Sequence, residues 1–216
     1  MKQWHVEKYD LYECLQNYIN FNDKTILDFG GSFGNLIISS NGKIQEKNYT
    51  CLDVDKIALA EGQENFPNAK WIWYNRHNVM YNPAGNDEWP ELGTYDLIFS
   101  YSVFTHSSYE DLVKTISYLK TLLNKNGEIY ISYASQCNKP LIDWLTNKRV
   151  RDYKNFDDIV PNNKYIYIKD NKVTDTIPNQ CDQFFTLYDD NFLRSLGDIV
   201  RFDGVLQDFL RIINHE

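Results

Sequence analysis

The segment at residues 26–35, Ile-Leu-Asp-Phe-Gly-Gly-Ser-Phe-Gly-Asn, constrains this chain more than any other. A short apolar run that ends in clustered glycines and restarts as an apolar stretch reads as a buried strand, a tight turn and a helix. Glycine lets the backbone enter conformations closed to other residues and lets it approach a ligand closely. In a doubly wound α/β sheet such a turn lies at the carboxyl edge, where these folds bind their ligands. The same residues would also serve as a plain strand-to-helix corner. A second feature favours a ligand: Asp53 ends the next predicted strand, 25 residues past Asp28, where a carboxylate can accept both hydroxyls of a ribose.

The rest of the chain supplies the partners for such a sheet. Strands are expected at residues 24–29, 48–54, 69–74, 95–101 and 128–133. Between them, Asp55 caps a helix that Pro67 stops, and Ser107 with Glu110 forms a capping box. That second helix shows one apolar face through Leu112, Ile116, Leu119 and Leu123, and Asn126-Gly127 ends it. Residues 4–20 place Leu11, Leu15, Tyr18 and Ile19 at helical spacing, which predicts an amphipathic leading helix. Residues 76–93 carry Pro83, Gly85, Pro90 and Gly93 and read as loop. Near the end, Asp190 caps a helix closed at Gly197, and strands near 198–203 and 206–213 pair antiparallel around Asp203-Gly204.

Alternating strands and helices predict a single domain over residues 1–216: an α/β, doubly wound, mostly parallel seven-stranded sheet with an antiparallel last strand and helices on both faces. Residues 1–22 form a cap. Residues 134–183, where patterning fades except for a helix at 140–147 and a hairpin at 165–174, form a substrate lid.

With 22 basic and 30 acidic residues the formal charge is −8, a field that repels a phosphate backbone, so nucleic acid is not an expected partner. The basic cluster Lys148, Arg149, Arg151 and Lys154 is followed by Asp157 and Asp158 and reads as a solvated face. Cys14, Cys51, Cys137 and Cys181 lack the paired spacing of zinc or redox sites, and no cluster of Asp, Glu and His compels a metal. A magnesium-assisted acceptor site stays open. The first residues lack the apolar run of a signal peptide and no stretch reaches membrane-span length, so the expected location is cytoplasmic with no membrane partner.

From residue 24 to 133 the chain resembles the class I S-adenosylmethionine-dependent methyltransferases of small-molecule type. The family's Asp-x-Gly-x-Gly-x-Gly turn is matched by Asp28, Gly30 and Gly34, with Ser32 in place of the middle glycine and Gly31 beside it. The resemblance implies that these residues cradle S-adenosylmethionine, that Asp53 holds the ribose and that Val54 lies against the adenine. It places Asn75 where an Asp commonly meets the adenine amine, and Ser100 at the end of the fourth strand beside the cofactor. The leading segment, with Trp4, His5, Tyr9 and Tyr12, would close over the methionine end, Tyr9 as a cofactor contact. His106, in the loop after the fourth strand, is the candidate general base. Tyr133, Gln136 and Trp144 would form the acceptor wall.

The implied reaction is methyl transfer to a hydroxyl or amino group of a small molecule, a sugar or natural-product intermediate. Two other readings stand beside it. A nonenzymatic S-adenosylmethionine-binding or scaffold protein would keep the fold without turnover. An NAD-dependent dehydrogenase would need the Gly-x-Gly-x-x-Gly spacing that the turn lacks. Ser100-Tyr101-Ser102-Val103 stands where methyltransferases of nucleobase or glutamine amino groups carry Pro-Pro, which argues against that branch.

Overall fold

The computed structural model describes residues 11–78, 81–138, 140–141, 165–169, 172–174, 184–203, 205 and 207–215. Its centre is a pair of very short strands, β1 (Ile26–Phe29) and β2 (Tyr49–Asp53), in which every residue is buried. Strands covered on both faces read as continuous apolar runs rather than alternating ones. Beside them lie β3 (Lys70–Trp73), β4 (Tyr95–Ser100) and β5 (Leu123–Ser135). The order β3-β2-β1-β4-β5 is parallel throughout. Two strands complete the sheet beyond β5: β10 (Asp208–Ile213) runs antiparallel to it and β9 (Asp198–Val200) antiparallel to β10. This seven-stranded, mostly parallel sheet with its last strand antiparallel is the architecture the sequence predicts.

Successive residues of a strand face opposite sides, so Ile26 and Leu27 belong to different cores. Leu27, Phe29, Leu52 and Ile98 pack against α4 (Tyr109–Thr121) through Leu112, Ile116 and Leu119. On the other face, Ile26, Cys51, Leu97 and Phe99 pack against three helices. These are α1 (Leu11–Leu15), α2 (Asn35–Ser39) and α3 (Lys56–Asn65), contributing Leu15, Leu36, Ile37 and Leu59. Each fully buried Leu or Ile is worth about 1.5–3 kcal/mol, so the two apolar layers hold the sheet between them.

The structure adds a side sheet. The last residues of β5 pair in parallel with β8 (Phe184–Tyr188), which pairs antiparallel with β6 (Tyr165–Lys169), and β6 with β7 (Lys172–Thr174). The expected hairpin is therefore present in its strands, while its turn lies outside the described residues. Of the expected helix at 140–147 only residues 140–141 are described.

Four boundaries differ from expectation. The leading helix is described only at Leu11–Leu15, and Tyr18 is 44% exposed rather than core; its ring stacks on Phe202 at 4.7 Å. Asn17 and Asn20 are poor helix formers, and the chain turns there. The N-cap of α4 is Ser108, not Ser107, and that of α5 (Asp190–Arg194) is Asp189, not Asp190. Strand β5 starts at Leu123 instead of after Asn126-Gly127. Asn126 adopts φ 60° inside the strand, and the pairing with β4 shifts register between Tyr95 and Leu97.

Candidate cofactor cleft

The glycine turn joins β1 to α2, and each of its glycines has its own reason. Gly30, at φ 72°, donates its N–H to Leu52 O at 2.7 Å, and a Cβ there would lie 2.2 Å from a methyl of Val103. Gly34, at φ 92°, is the N-cap of α2, and its missing Cβ leaves room for the Trp71 ring, which would be 2.7 Å away. A Cβ on Gly31 would strike the Asp28 carboxylate at 2.6 Å. Ser32 takes φ 54°, the left-handed conformation that a glycine at the same place would adopt freely.

That conformation turns the Ser32 N–H onto Asp53 Oδ2 at 2.8 Å, while Asp55 N–H donates to Asp53 Oδ1 at 2.9 Å. Each oxygen of Asp53 has thus accepted one backbone proton and keeps a lone pair for a ligand. Burial raises its pKa from the ordinary carboxylate value. Asp28 behaves differently: it is 3% exposed, accepts the Tyr49 hydroxyl, and burial pushes its pKa up to about 7.

Above the turn opens a cleft of about 240 Å³. Phe29, Gly30 and Ser32 line it from the turn, Asp53, Val54 and Asp55 from the end of β2, and Tyr74, Arg76, His77, Asn78 and Tyr81 from the segment after β3. Ser102, Val103, Phe104 and Ser107 line it from the exit of β4, Asp111 and Thr115 from α4. Stacked Phe29 and Phe104 rings, 6.1 Å apart, make part of an apolar wall suited to a flat heterocycle.

Sequence reasoning missed Arg76. It is 5% exposed, lies 3.8 Å over the Trp89 ring, donates to Asp87 O at 3.0 Å and pairs with Asp111 at 3.8 Å. The signal was available: with a period of two, Ile72, Tyr74 and Arg76 share one face, and Trp73 and Asn75 the other. Trp73 and Asn75 are exposed accordingly.

The structure brings Gly30, Asp53 and Val54 together in the cleft wall, with Gly31 and Gly34 shaping the turn beneath. Asp28 faces Tyr49 instead. Asn75 lies outside the lining, its Oδ1 accepting from Asn82 at 3.2 Å. Ser100 is fully buried, and its hydroxyl has no partner among the described residues. His106 sits in a 3-10 turn (Phe104–His106), 7% exposed, and meets the Tyr81 ring edge-on at 5.8 Å; it does not line the cleft. Tyr133 is buried with its hydroxyl on Asp190 Oδ1 at 3.2 Å, and Gln136 Nε2 donates to Leu187 O at 3.3 Å. Tyr9 and Trp144 lie outside the described residues, as do Trp4, His5, Cys181 and the basic cluster. Among the described residues no three His, Cys, Asp or Glu side chains gather around a metal position, and no helix is long and apolar enough to cross a membrane.

Residues 27–129 match the family model described as a methyltransferase domain. Among solved structures, an S-adenosylmethionine-dependent methyltransferase from Clostridium acetobutylicum is similar at 12% identity and a TM-score of 0.55, covering 95% of this chain and 89% of its own. A methyltransferase from Pyrococcus furiosus follows at 14% identity and a TM-score of 0.52, covering 99% and 87%. Magnesium protoporphyrin IX methyltransferase from Synechocystis, solved with bound S-adenosylmethionine, gives 13% identity and a TM-score of 0.51, covering 94% and 76%. At these identities the shared property is the fold.

Proposed function

We propose that this chain is an S-adenosylmethionine-dependent methyltransferase that methylates a hydroxyl or amino group of a small molecule. The match of residues 27–129 to the methyltransferase-domain model and the fold shared with solved methyltransferases support the reading. The observation that carries the reading is the Asp53 carboxylate, fixed by two backbone N–H groups yet still able to accept from a ligand, beside a turn whose glycines admit close approach. S-adenosylmethionine fits this wall. Asp53 would take the ribose hydroxyls, Val54 and the ring of Phe104 would enclose the adenine, and Gly30 would let the amino-acid end come against backbone. When bound, the cofactor supplies a methyl group activated by a sulfonium.

The protein's part is then alignment and proton removal. Alignment of donor and acceptor alone is worth effective molarities on the order of 10⁵ to 10⁸ M. His106, at the carboxyl end of β4 and against the Tyr81 ring that lines the cleft, is our candidate to accept the acceptor's proton. Tyr133, near the end of β5, and Gln136, just past it, are our candidates for the acceptor side. The net charge of −8 supports a small acceptor over nucleic acid.

Calorimetry tests the reading directly. Wild-type protein should take up S-adenosylmethionine and its demethylated product S-adenosylhomocysteine, and metabolite extracts incubated with methyl-labelled cofactor should yield a labelled small molecule. A wild-type protein that takes up neither nucleoside overturns it.

A further inference from the structure

Ser102, just past the end of β4, lines the cleft and holds φ 62°, an uncommon backbone conformation for a residue with a side chain. Such strain persists only where surrounding structure over-determines it. A closed ring of hydrogen bonds does so here. The Ser102 N–H donates to Ser132 Oγ at 2.7 Å, the Ser132 hydroxyl donates to Gln207 Oε1 at 2.7 Å, and Gln207 Nε2 donates to Ser102 Oγ at 3.1 Å.

The direction of this ring follows from its chemistry. A backbone N–H can only donate, so Ser132 Oγ must accept it. Ser132 is fully buried, and its own proton goes to the one side-chain acceptor in reach, the amide oxygen of Gln207. That fixes the amide nitrogen toward Ser102, whose oxygen is thereby an acceptor. The Ser102 hydroxyl proton is left over, with no acceptor for it among the described residues, in the wall of the cleft.

We propose that Ser102 donates this proton to an oxygen or nitrogen lone pair of the bound adenosyl cofactor, and that Gln207, from the segment before β10, is the positioning residue that sets its polarity. The proposal rests on the cofactor reading above. It makes the antiparallel end of the sheet, far from the glycine turn in sequence, part of cofactor recognition.

The test reverses the polarity while keeping the ring. In Gln207→Glu both carboxylate oxygens accept, so the Ser132 and Ser102 hydroxyls both turn toward the glutamate and the cleft loses its donor. Affinity for S-adenosylhomocysteine should fall about three- to tenfold, the equivalent of one neutral hydrogen bond, with the melting temperature near that of wild type. Ser102→Ala should lose a similar factor. Because both act through one proton, the double variant should bind no more than about twofold worse than either single one. A glutamate variant with wild-type affinity, or losses that multiply in the double variant, overturns the proposal. Should Gln207→Glu not fold, Ser102→Ala decides alone, unchanged affinity sinking the idea. No uptake by the wild type would instead sink the functional reading.

Discussion

At Asp53 both oxygens already accept a backbone N–H, so an amide cannot stand in for the carboxylate. In Asp53→Asn one of those N–H groups faces an NH2, and a charge-assisted acceptor for the ligand is gone. A hydrogen bond to a charged group is worth about 1.5–3 kcal/mol, which predicts an S-adenosylhomocysteine affinity lower by about 10- to 100-fold in calorimetry. Asp28 tests a different property. Its folded pKa of about 7 stands above the ordinary 3.8 because burial disfavours the charge. Between those values the folded protein keeps a proton that the unfolded chain has released, so this group's contribution to stability falls as pH rises through the window and is flat above it. Asp28→Asn does not titrate and can still accept the Tyr49 hydroxyl. Its melting temperature should therefore climb relative to wild type from about pH 4 to pH 7, and a gap independent of pH would refute the assignment. The glycines and Asp53 are legible in the sequence because their positions at the ends of β1 and β2 follow from backbone geometry and strand order. Whether Asp28 or Asn75 faces the cleft depends on strand parity, and parity turns the residue after Tyr74 outward and Arg76 inward.

Among the elements, α4 shows why caps are read one position off. Ser107 with Glu110 and Ser108 with Asp111 both fit a capping box, but the Ser107 hydroxyl is drawn to Val103 O at 3.3 Å while Ser108 Oγ accepts from Asp111 N–H at 3.1 Å. Ser108→Ala should cost about 1 kcal/mol in denaturant unfolding, and Ser107→Ala less. The turn into α2 makes a sterner demand. Gly34→Ala puts a methyl against the Trp71 ring at a left-handed position, and Trp71 is pinned by its Nε1–H to Phe66 O at 3.1 Å, so it cannot swing away freely. A loss of about 1–3 kcal/mol is expected, read as a lower denaturant midpoint. In β5, Asn126-Gly127 carries the local signal of a helix stop. The pairing of Tyr95 with Leu123 is stronger than that signal and keeps the chain in the sheet, an outcome decided by a partner remote in sequence.

On the scale of the whole molecule, the seven-stranded order is legible because strands and helices alternate, whereas the side sheet is legible only in its hairpin, since β8 finds its partners only in three dimensions. That strand matters to the cleft. Thr186 Oγ1 donates to Ser107 O at 2.7 Å, and the Tyr188 hydroxyl lies 3.1 Å from Phe104 O and 3.2 Å from Ser107 O, so the side sheet grips the loop bearing His106. Tyr188→Phe should lower stability by about 1–2 kcal/mol and raise the KM for the acceptor; an unchanged KM would detach the side sheet from acceptor handling. The Gln136 N–H donates to Tyr188 O at 3.0 Å, so at Tyr188 the chain is again beside the end of β5. Chain positions held side by side admit insertions or deletions between them at little loop-closure cost, so length changes between residues 142 and 183 should leave the seven-stranded sheet in place.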